Sequence, residues 1–406
     1  MIPIDPWIIL TLILGFGMAW AIGANDAANS MSTAVGAGAI TPKQAVLIAG
    51  VLEFTGAYFF GKTVTETIRK GIIDPSKISD PNVLIYGSIA ALLGATIWLI
   101  IATKYGLPVS TTHSIIGGIV GYGIIYGGIG IVNWDKMVRV VLSWVLSPIV
   151  GAIFAFLVFR ALRRTVLQSE DPVKSAKRWS PFWIGLAFIV IGTMFYIKVL
   201  HGSSLYIGIL KYGIPTGIIV FIITSMLLRV KFPNVDPYLG AEVIFRKVQV
   251  ITSGYVALAH GANDVANAIG PVAAVYTIAT MGLAGAKVPV PRWILALGGL
   301  GIAIGVATYG YRVMETVGKK ITELTNTRGF TIDFSAATVV LIASWLGMPI
   351  STTHTVVGAV IGVGLARGVK AINKSVVKDI IISWFVTVPV AGIIAGIIFK
   401  VLLLIG

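Results

Sequence analysis

The sequence predicts an all-α polytopic membrane protein. It should have about twelve transmembrane segments in two inverted five-segment repeats, with broken or re-entrant helices. Three observations predict this. Of 406 residues, 56% are apolar and only 12% charged, about half the charge of a soluble domain. Apolar stretches of about 20 residues, the length that spans a bilayer, recur along the whole chain. Two polar motifs inside those stretches each occur twice, in the same order and at nearly one offset. The composition excludes a soluble enzyme with a normally wetted surface. It also excludes disorder, which needs low hydrophobicity and high charge.

Taken in order, the segments lie near 7–35, 43–68, 83–104, 110–128, 136–162, 181–200, 204–228, 242–280, 292–317, 332–347, 350–366 and 375–405. The N-terminus MIPIDPWIIL lacks a basic leader and an A-x-A cleavage site, so it reads as the first membrane segment rather than a targeting peptide. The first and eighth segments are too long for one crossing and carry polar residues mid-way. They are expected to be broken or to fold back.

Charge sets the orientation. The chain carries 31 Lys and Arg against 16 Asp and Glu, a net +15. In a soluble chain this would suggest nucleic acid; in so apolar a chain it indicates cationic cytoplasmic loops. The stretch 160–178 holds Arg160, Arg163, Arg164, Lys174, Lys177 and Arg178 and is assigned to the cytoplasm. Twelve crossings then put both termini outside and 20 of the 31 cations inside. Outer Lys62, Arg69, Lys70 and Lys77 form a counter-cluster. The chain has no Cys, which excludes disulfides, Fe–S clusters, thiolate zinc sites and Cys nucleophiles.

The repeats are explicit. Gly23-Ala-Asn-Asp-Ala-Ala-Asn29 returns as Gly261-Ala-Asn-Asp-Val-Ala-Asn267, 238 residues later. Pro108-Val-Ser-Thr-Thr-His-Ser114 returns as Pro349-Ile-Ser-Thr-Thr-His-Thr355, 241 residues later. Ser143-Trp144 returns as Ser383-Trp384. Segments 1–5 therefore match segments 8–12, and an odd number of segments separates the two starts, so the second copy enters the membrane upside down. The chain divides into an N-terminal repeat (1–162), a basic loop with two inserted helices (163–241) and an inverted C-terminal repeat (242–406). Inverted repeats are a signature of secondary transporters and place the site near the midplane where the repeats meet.

Asn25-Asp26 and Asn263-Asp264 sit inside apolar segments. A carboxylate at that depth costs a few kcal/mol and marks an ion or proton path. The alternative is a polar helix contact, which the duplication disfavours. An unwound turn there would offer carbonyls, amide oxygens and a carboxylate, hard ligands suited to Na+. Ser110-Thr111-Thr112 and Ser351-Thr352-Thr353 each follow a Pro and precede an apolar run, the pattern of a helix start capped by Ser. A helix N-terminus rich in hydroxyls binds anions without a fixed cation. Inverted symmetry would aim two of them at one point, which suits a small tetrahedral oxyanion. A cation between acids and anion would make the two bind cooperatively.

Glu53 in segment 2 and Asp333 at the start of segment 10 have apolar repeat equivalents near Ile302 and Leu92. Asp333 could simply cap its helix. Glu66 and Glu315 match across the repeats and read as interfacial. His113 and His354 follow the Ser-Thr-Thr runs and read as structural. No second His or carboxylate is read at metal-ligand helical spacing, so no transition-metal site is expected. His260, with Ile22 as counterpart, is a candidate proton-sensitive gate together with Asp333. The stretch from Gly56 to Thr63 matches G-x-x-x-x-G-K-T, but it ends a membrane helix instead of following a strand, so ATP binding is not expected. Hydrolase patterns such as G-x-S-x-G are absent.

With both motif pairs in order over the whole chain, the sequence resembles the inorganic phosphate transporter (PiT) family of sodium- or proton-coupled carriers. The run from Ala259 to Pro271 is especially close to the family signature. The resemblance implies a phosphate symporter rather than an enzyme, and functional roles for Asp26, Asp264 and Glu53. The segment Gly329-Phe-Thr-Ile-Asp333 resembles a family stretch that often ends in Glu; Asp keeps the charge and shortens the reach. The short basic loop at 163–180 is like that of minimal prokaryotic carriers.

The expected function is sodium-coupled phosphate import by alternating access in the cell (inner) membrane. A proton-coupled carrier of phosphate or another small oxyanion, and an anion channel, are the alternatives. Cations would be bound by Asn25, Asp26, Asn263, Asp264 and Glu53, and phosphate by Ser110, Thr111, Thr112, Ser351, Thr352 and Thr353. No cofactor is expected beyond sodium ions as co-substrate. The expected partners are phosphate, sodium and the lipid bilayer, with no nucleic acid and a homodimer as a possible assembly.

Overall fold

The structure, a computed structural model, describes residues 6–73, 77, 78, 80–105, 109–229, 236–281, 289–310, 324–368 and 374–405. The described chain is helical throughout. α1 is Pro6–Gly36, α2 Pro42–Phe60, α3 Lys62–Gly71, α4 Pro81–Lys104, α5 Thr111–Gly127 and α6 Trp134–Leu162, which continues as a π-helical turn Arg163–Leu167. α7 is Pro172–Lys198, α8 Leu205–Leu227, α9 Pro237–Met281 and α10 Arg292–Gly310. α11 is Asn326–Trp345, α12 Thr352–Arg367 and α13 Lys374–Ile405.

Helix starts are written by polar-Pro pairs. Thr41-Pro42, Asp80-Pro81 and Asp171-Pro172 open α2, α4 and α7, and each cap side chain accepts a first-turn amide. Pro is pre-set for the first helical position and has no N–H to leave orphaned. Asp236 does the same for α9, accepting from Tyr238 and Leu239.

Each of the twelve segments finds a helix. Among the described residues, seven helices are long and apolar enough to cross a membrane, or eight if α2 and α3, bent by 65° at Gly61, form one span. α5 and α12 have 17 and 16 residues, about 24–26 Å, short of the roughly 30 Å hydrocarbon core. α4 and α5 run antiparallel: a Cβ on Gly87 would meet Tyr122, and one on Gly118 would meet Ala91. Ser110 at the start of α5 is buried, and α4 and α5 form an antiparallel hairpin. α11 and α12 form the second hairpin. Its turn uses Gly347 at φ 70°, with the amides of Gly347 and Met348 donating back to the carbonyls of Ser344 and Ala343. That left-handed position favours glycine.

The expected breaks in segments 1 and 8 are not there. α1 (31 residues) and α9 (45 residues) run unbroken through Asn25-Asp26 and Asn263-Asp264. Side chains of the neighbouring helices supply the polar partners that an unwound turn would have supplied.

The two repeats show as paired backbone contacts. A Cβ on Gly23 would lie 2.0 Å from the Ile302 carbonyl oxygen, and one on Gly261 would lie 2.0 Å from that of Glu53. Glycine is required at both, because nothing larger lets α1 lie on α10 and α9 on α2 this closely. Gly117 and Gly121 on α5 meet Val388 and Gly392 of α13, while Gly358 and Gly362 on α12 meet Pro148 and Ala152 of α6. Each hairpin is thus packed against the last helix of the opposite repeat. In the insert, Lys198 at the end of α7 donates to Thr63 Oγ1 (2.8 Å) and to the Trp345 carbonyl (3.1 Å), tying the α2–α3 bend to the end of α11.

Two surface readings change. Arg69, expected in an outer counter-cluster, is buried; it pairs with Glu66 (2.5 Å) and donates to Thr277 (2.7 Å). Glu66 is therefore a paired acid at the edge of the bundle. Glu315 lies outside the described residues, as do Pro108 and the loop cations Lys231, Arg312, Lys319, Lys320 and Lys370.

Candidate functional site

The N-termini of α5 and α12 converge. Ser110 and Ser351 cap the two helices as expected, each accepting from the amide three residues on (3.2 Å to His113 and 3.2 Å to His354). The two histidine rings meet edge-on with centroids 4.5 Å apart, and each also lies on a tryptophan, Trp144 at 3.8 Å and Trp384 at 3.6 Å. Thr112 Oγ1 donates to the Ile350 carbonyl (3.0 Å), and Trp144 Nε1 to that of Pro349 (3.2 Å). The histidines are thus packing residues that join the hairpin tips.

The duplicated motif on α1 and α9 holds those tips. Asn25 donates to Thr103 Oγ1, at the end of α4. Its counterpart Asn263 donates to Ser344 Oγ (3.0 Å) and the Met348 carbonyl (3.2 Å), at the end of α11. Asn29 donates to Thr353 Oγ1 (2.8 Å) and Asp26 Oδ1 (3.1 Å). Asn267 donates to Thr111 and Thr112 (3.2 and 3.1 Å). Asn29 and Asn267 were missed as site residues, although both end the repeated motif.

The hydroxyls divide. Thr352 donates to Asp264 Oδ2 (2.7 Å), Thr111 interacts with Asp26, and Thr112 donates to Ile350. Ser110, Ser351 and Thr353 act only as acceptors in the described contacts. Beyond the His113 and His354 amides that these serines cap, the first-turn amides of each helix have no partner within the helix.

The acids gather beside these tips. Asp26, Glu53 and Asp264 are at most 1% exposed. His260 lies among them, with Nε2 2.8 Å from Asp264 Oδ2 and 3.7 Å from Asp26 Oδ2, and Nδ1 3.3 Å from Glu53 Oε1. Ser30 donates to Glu53 Oε1 (3.0 Å). Five buried oxygens of this cluster have no donor: Asp26 Oδ2, Glu53 Oε2, Asp264 Oδ1, Asn263 Oδ1 and Asn267 Oδ1. A buried oxygen without a partner costs about 1–3 kcal/mol, more if charged, and a cation is the partner that serves many at once. Asp26, His260 and Asp264 offer ligand atoms all within 4.8 Å of one another.

That triad corrects one reading. His260 and Asp264 do stand at metal-ligand helical spacing, four residues apart on α9, and Asp26 adds a third ligand from α1. The sequence, with Ile22 as its counterpart, marked His260 as a candidate proton-sensitive gate and not as a metal ligand. Asp333 needs a second correction. α11 begins at Asn326, so Asp333 lies two turns inside the helix and caps nothing. It accepts from Thr33 (2.6 Å) on α1 and Ser253 (2.5 Å) on α9, tying three helices. The Gly56–Thr63 stretch straddles the α2–α3 bend, so no strand precedes it.

The profile of the phosphate transporter family matches residues 22–395. The chain belongs to the phosphate transporter family. A candidate phosphate permease of Pyrococcus abyssi is 88% identical over 402 residues, covering 99% of each chain. Inorganic phosphate transporter 2-1 of the Arabidopsis thaliana chloroplast is 43% identical over 412 residues, 95% of this chain and 70% of that one. A solved structure described as the sodium-dependent phosphate transporter superposes with a TM-score of 0.95 at 48% identity, covering 99% of this chain and all of that one. This phosphate transporter is thus an integral membrane protein and not an enzyme.

Proposed function

We propose that this transporter imports phosphate together with sodium by alternating access. The observation that carries the reading is the set of five donor-less buried oxygens beside two convergent helix N-termini. Asp26, Asp264, Glu53 and the amide oxygens of Asn25 and Asn263 would bind sodium. Ser110, Ser351 and Thr353 would donate to phosphate alongside the first-turn amides. Thr111, Thr112 and Thr352 would set the geometry around them. The cations lie between carboxylates and anion, so each ligand raises the affinity of the other by one factor. Asp333, bridging α1, α9 and α11, would hold the gate on that side.

The repeats 1–162 and 242–406 would rock against each other about this site, with 163–241 as an insert. The protein would lie in the cell membrane with both termini outside.

One observation favours a second reading. His260 faces three carboxylates, so a proton on its ring could replace one cation. Uptake of labelled phosphate into proteoliposomes tests both. A sodium jump at fixed pH should drive accumulation above the outside concentration, and replacing sodium with choline should abolish it. Accumulation driven by a pH step without sodium would select the proton carrier. Equilibration without accumulation would make the protein a channel.

A further inference from the structure

A polar cavity of about 440 Å3 opens at the end of the bundle that carries the basic segment after α6. Its volume falls in the range of small-ligand pockets, about 300–1,000 Å3. Four segments distant in sequence build it: the π-helical turn after α6, the start of α9, the start of α11 and the end of α12. Three of them supply arginines, namely Arg163, Arg328 and Arg367. Phe159 and Tyr238 form an apolar wall.

Among the described residues, Glu242 is the one acid in the lining, a single negative charge against three arginines. Glu242 gives both carboxylate oxygens to Thr327, accepting its amide at 2.9 Å and its hydroxyl at 2.6 Å. Among the described residues, neither Arg163 nor Arg367 pairs with a carboxylate. Cations that only set topology need not converge on a cavity. These three do, and a π-turn, a feature often found at functional sites, carries one of them. Planar guanidinium forks suit a phosphate group, and an apolar wall beside them suits the organic part of a phosphate ester.

We propose that this cavity is a binding site for a phosphate-bearing anion, separate from the transport site. A basic pocket between membrane helices is the place where a phospholipid headgroup binds, and a soluble phosphorylated compound offers the same chemistry. Thr327 lies six residues before Asp333 on α11, about 9 Å along the helix. The bound anion therefore bridges the α11–α12 hairpin to α6 and α9 and holds the hairpin in place.

The test is thermal melting of the full-length protein in neutral detergent with two probes, pyrophosphate and micelles doped with dioleoyl phosphatidylglycerol against phosphatidylcholine. The proteins are the wild type, R163Q/R367Q, and R164Q, which loses a neighbouring charge outside the lining. Phosphate uptake by each variant establishes that it is folded. One probe should stabilise the wild type and R164Q, and its half-saturating concentration should be at least about tenfold higher for R163Q/R367Q, as expected for lost charged hydrogen bonds. A response to phosphatidylglycerol identifies a lipid headgroup; a response to pyrophosphate identifies a soluble ligand. If neither probe stabilises the wild type, or both act equally on wild type and R163Q/R367Q, the site does not exist.

Discussion

Asp26→Asn removes one charge from the buried cluster and almost nothing else. The amide keeps an oxygen for Asn29 Nδ2, which donates to Asp26 Oδ1 at 3.1 Å and also reaches Thr353. The hairpin tip therefore stays anchored. The lost attraction can be sized from the 4.8 Å limit on the ligand atoms of Asp26, His260 and Asp264. One unit charge acting on a cation over that distance, at an effective dielectric constant of about 20, is worth about 3 kcal/mol. Sodium affinity should fall by about two orders of magnitude. Calorimetric titration of phosphate over a sodium series measures it. The sodium concentration for half-maximal phosphate affinity should rise about a hundredfold, while phosphate affinity extrapolated to saturating sodium changes much less. A folded D26N protein whose sodium midpoint moves less than threefold would refute the placement of the cation at Asp26.

Three further outcomes follow from the packing. Gly261→Ala should lower the melting temperature sharply, because its Cβ would lie 2.0 Å from a backbone oxygen of α2; Gly17→Ala, with no protein atom within 4 Å, should be neutral or stabilising by up to about 1 kcal/mol. Equal shifts at the two positions would contradict the close approach of α9 and α2. Asn29→Ala and Asn267→Ala should each weaken phosphate binding, and by similar factors, since they hold opposite tips; a difference above tenfold in equilibrium dialysis would mean that one tip dominates. Asp333→Ala leaves Thr33 and Ser253 without their acceptor, and should destabilise by about 2–3 kcal/mol in denaturant unfolding. An Asp333→Ala protein of wild-type stability would show that the three-helix tie carries no weight.

Much of this site was legible because it was written twice. Asp26 and Asp264, Ser110 and Ser351 stood out as pairs, and the structure brings all four elements together. The paired glycine contacts confirm the equivalence of Glu53 and Ile302 that the offsets suggested. The hairpins were harder to see. An apolar run reads the same whether it crosses or turns back at the centre, and only the buried Ser caps of α5 and α12 mark the turn. The unbroken course of α1 and α9 was not legible either, because it depends on Thr103, Ser344 and Met348 from other helices satisfying the asparagines. His260 stood out as a candidate gate, but its place among three carboxylates did not. Its role comes from α1 and α2 packing against α9, which no local pattern encodes.

The crossed packing of the hairpins has a consequence for how such a chain can arise. α5 leans on α13 and α12 on α6, so neither half contains the wall its own hairpin needs. A lone half would leave its glycine-lined face against lipid and its Asn and Ser caps unpaired with the opposite tip. It would become stable only beside a second copy inserted in the opposite sense. Two separately made halves, cut within the short connection before α7, should therefore be individually unstable and yet reassemble when expressed together.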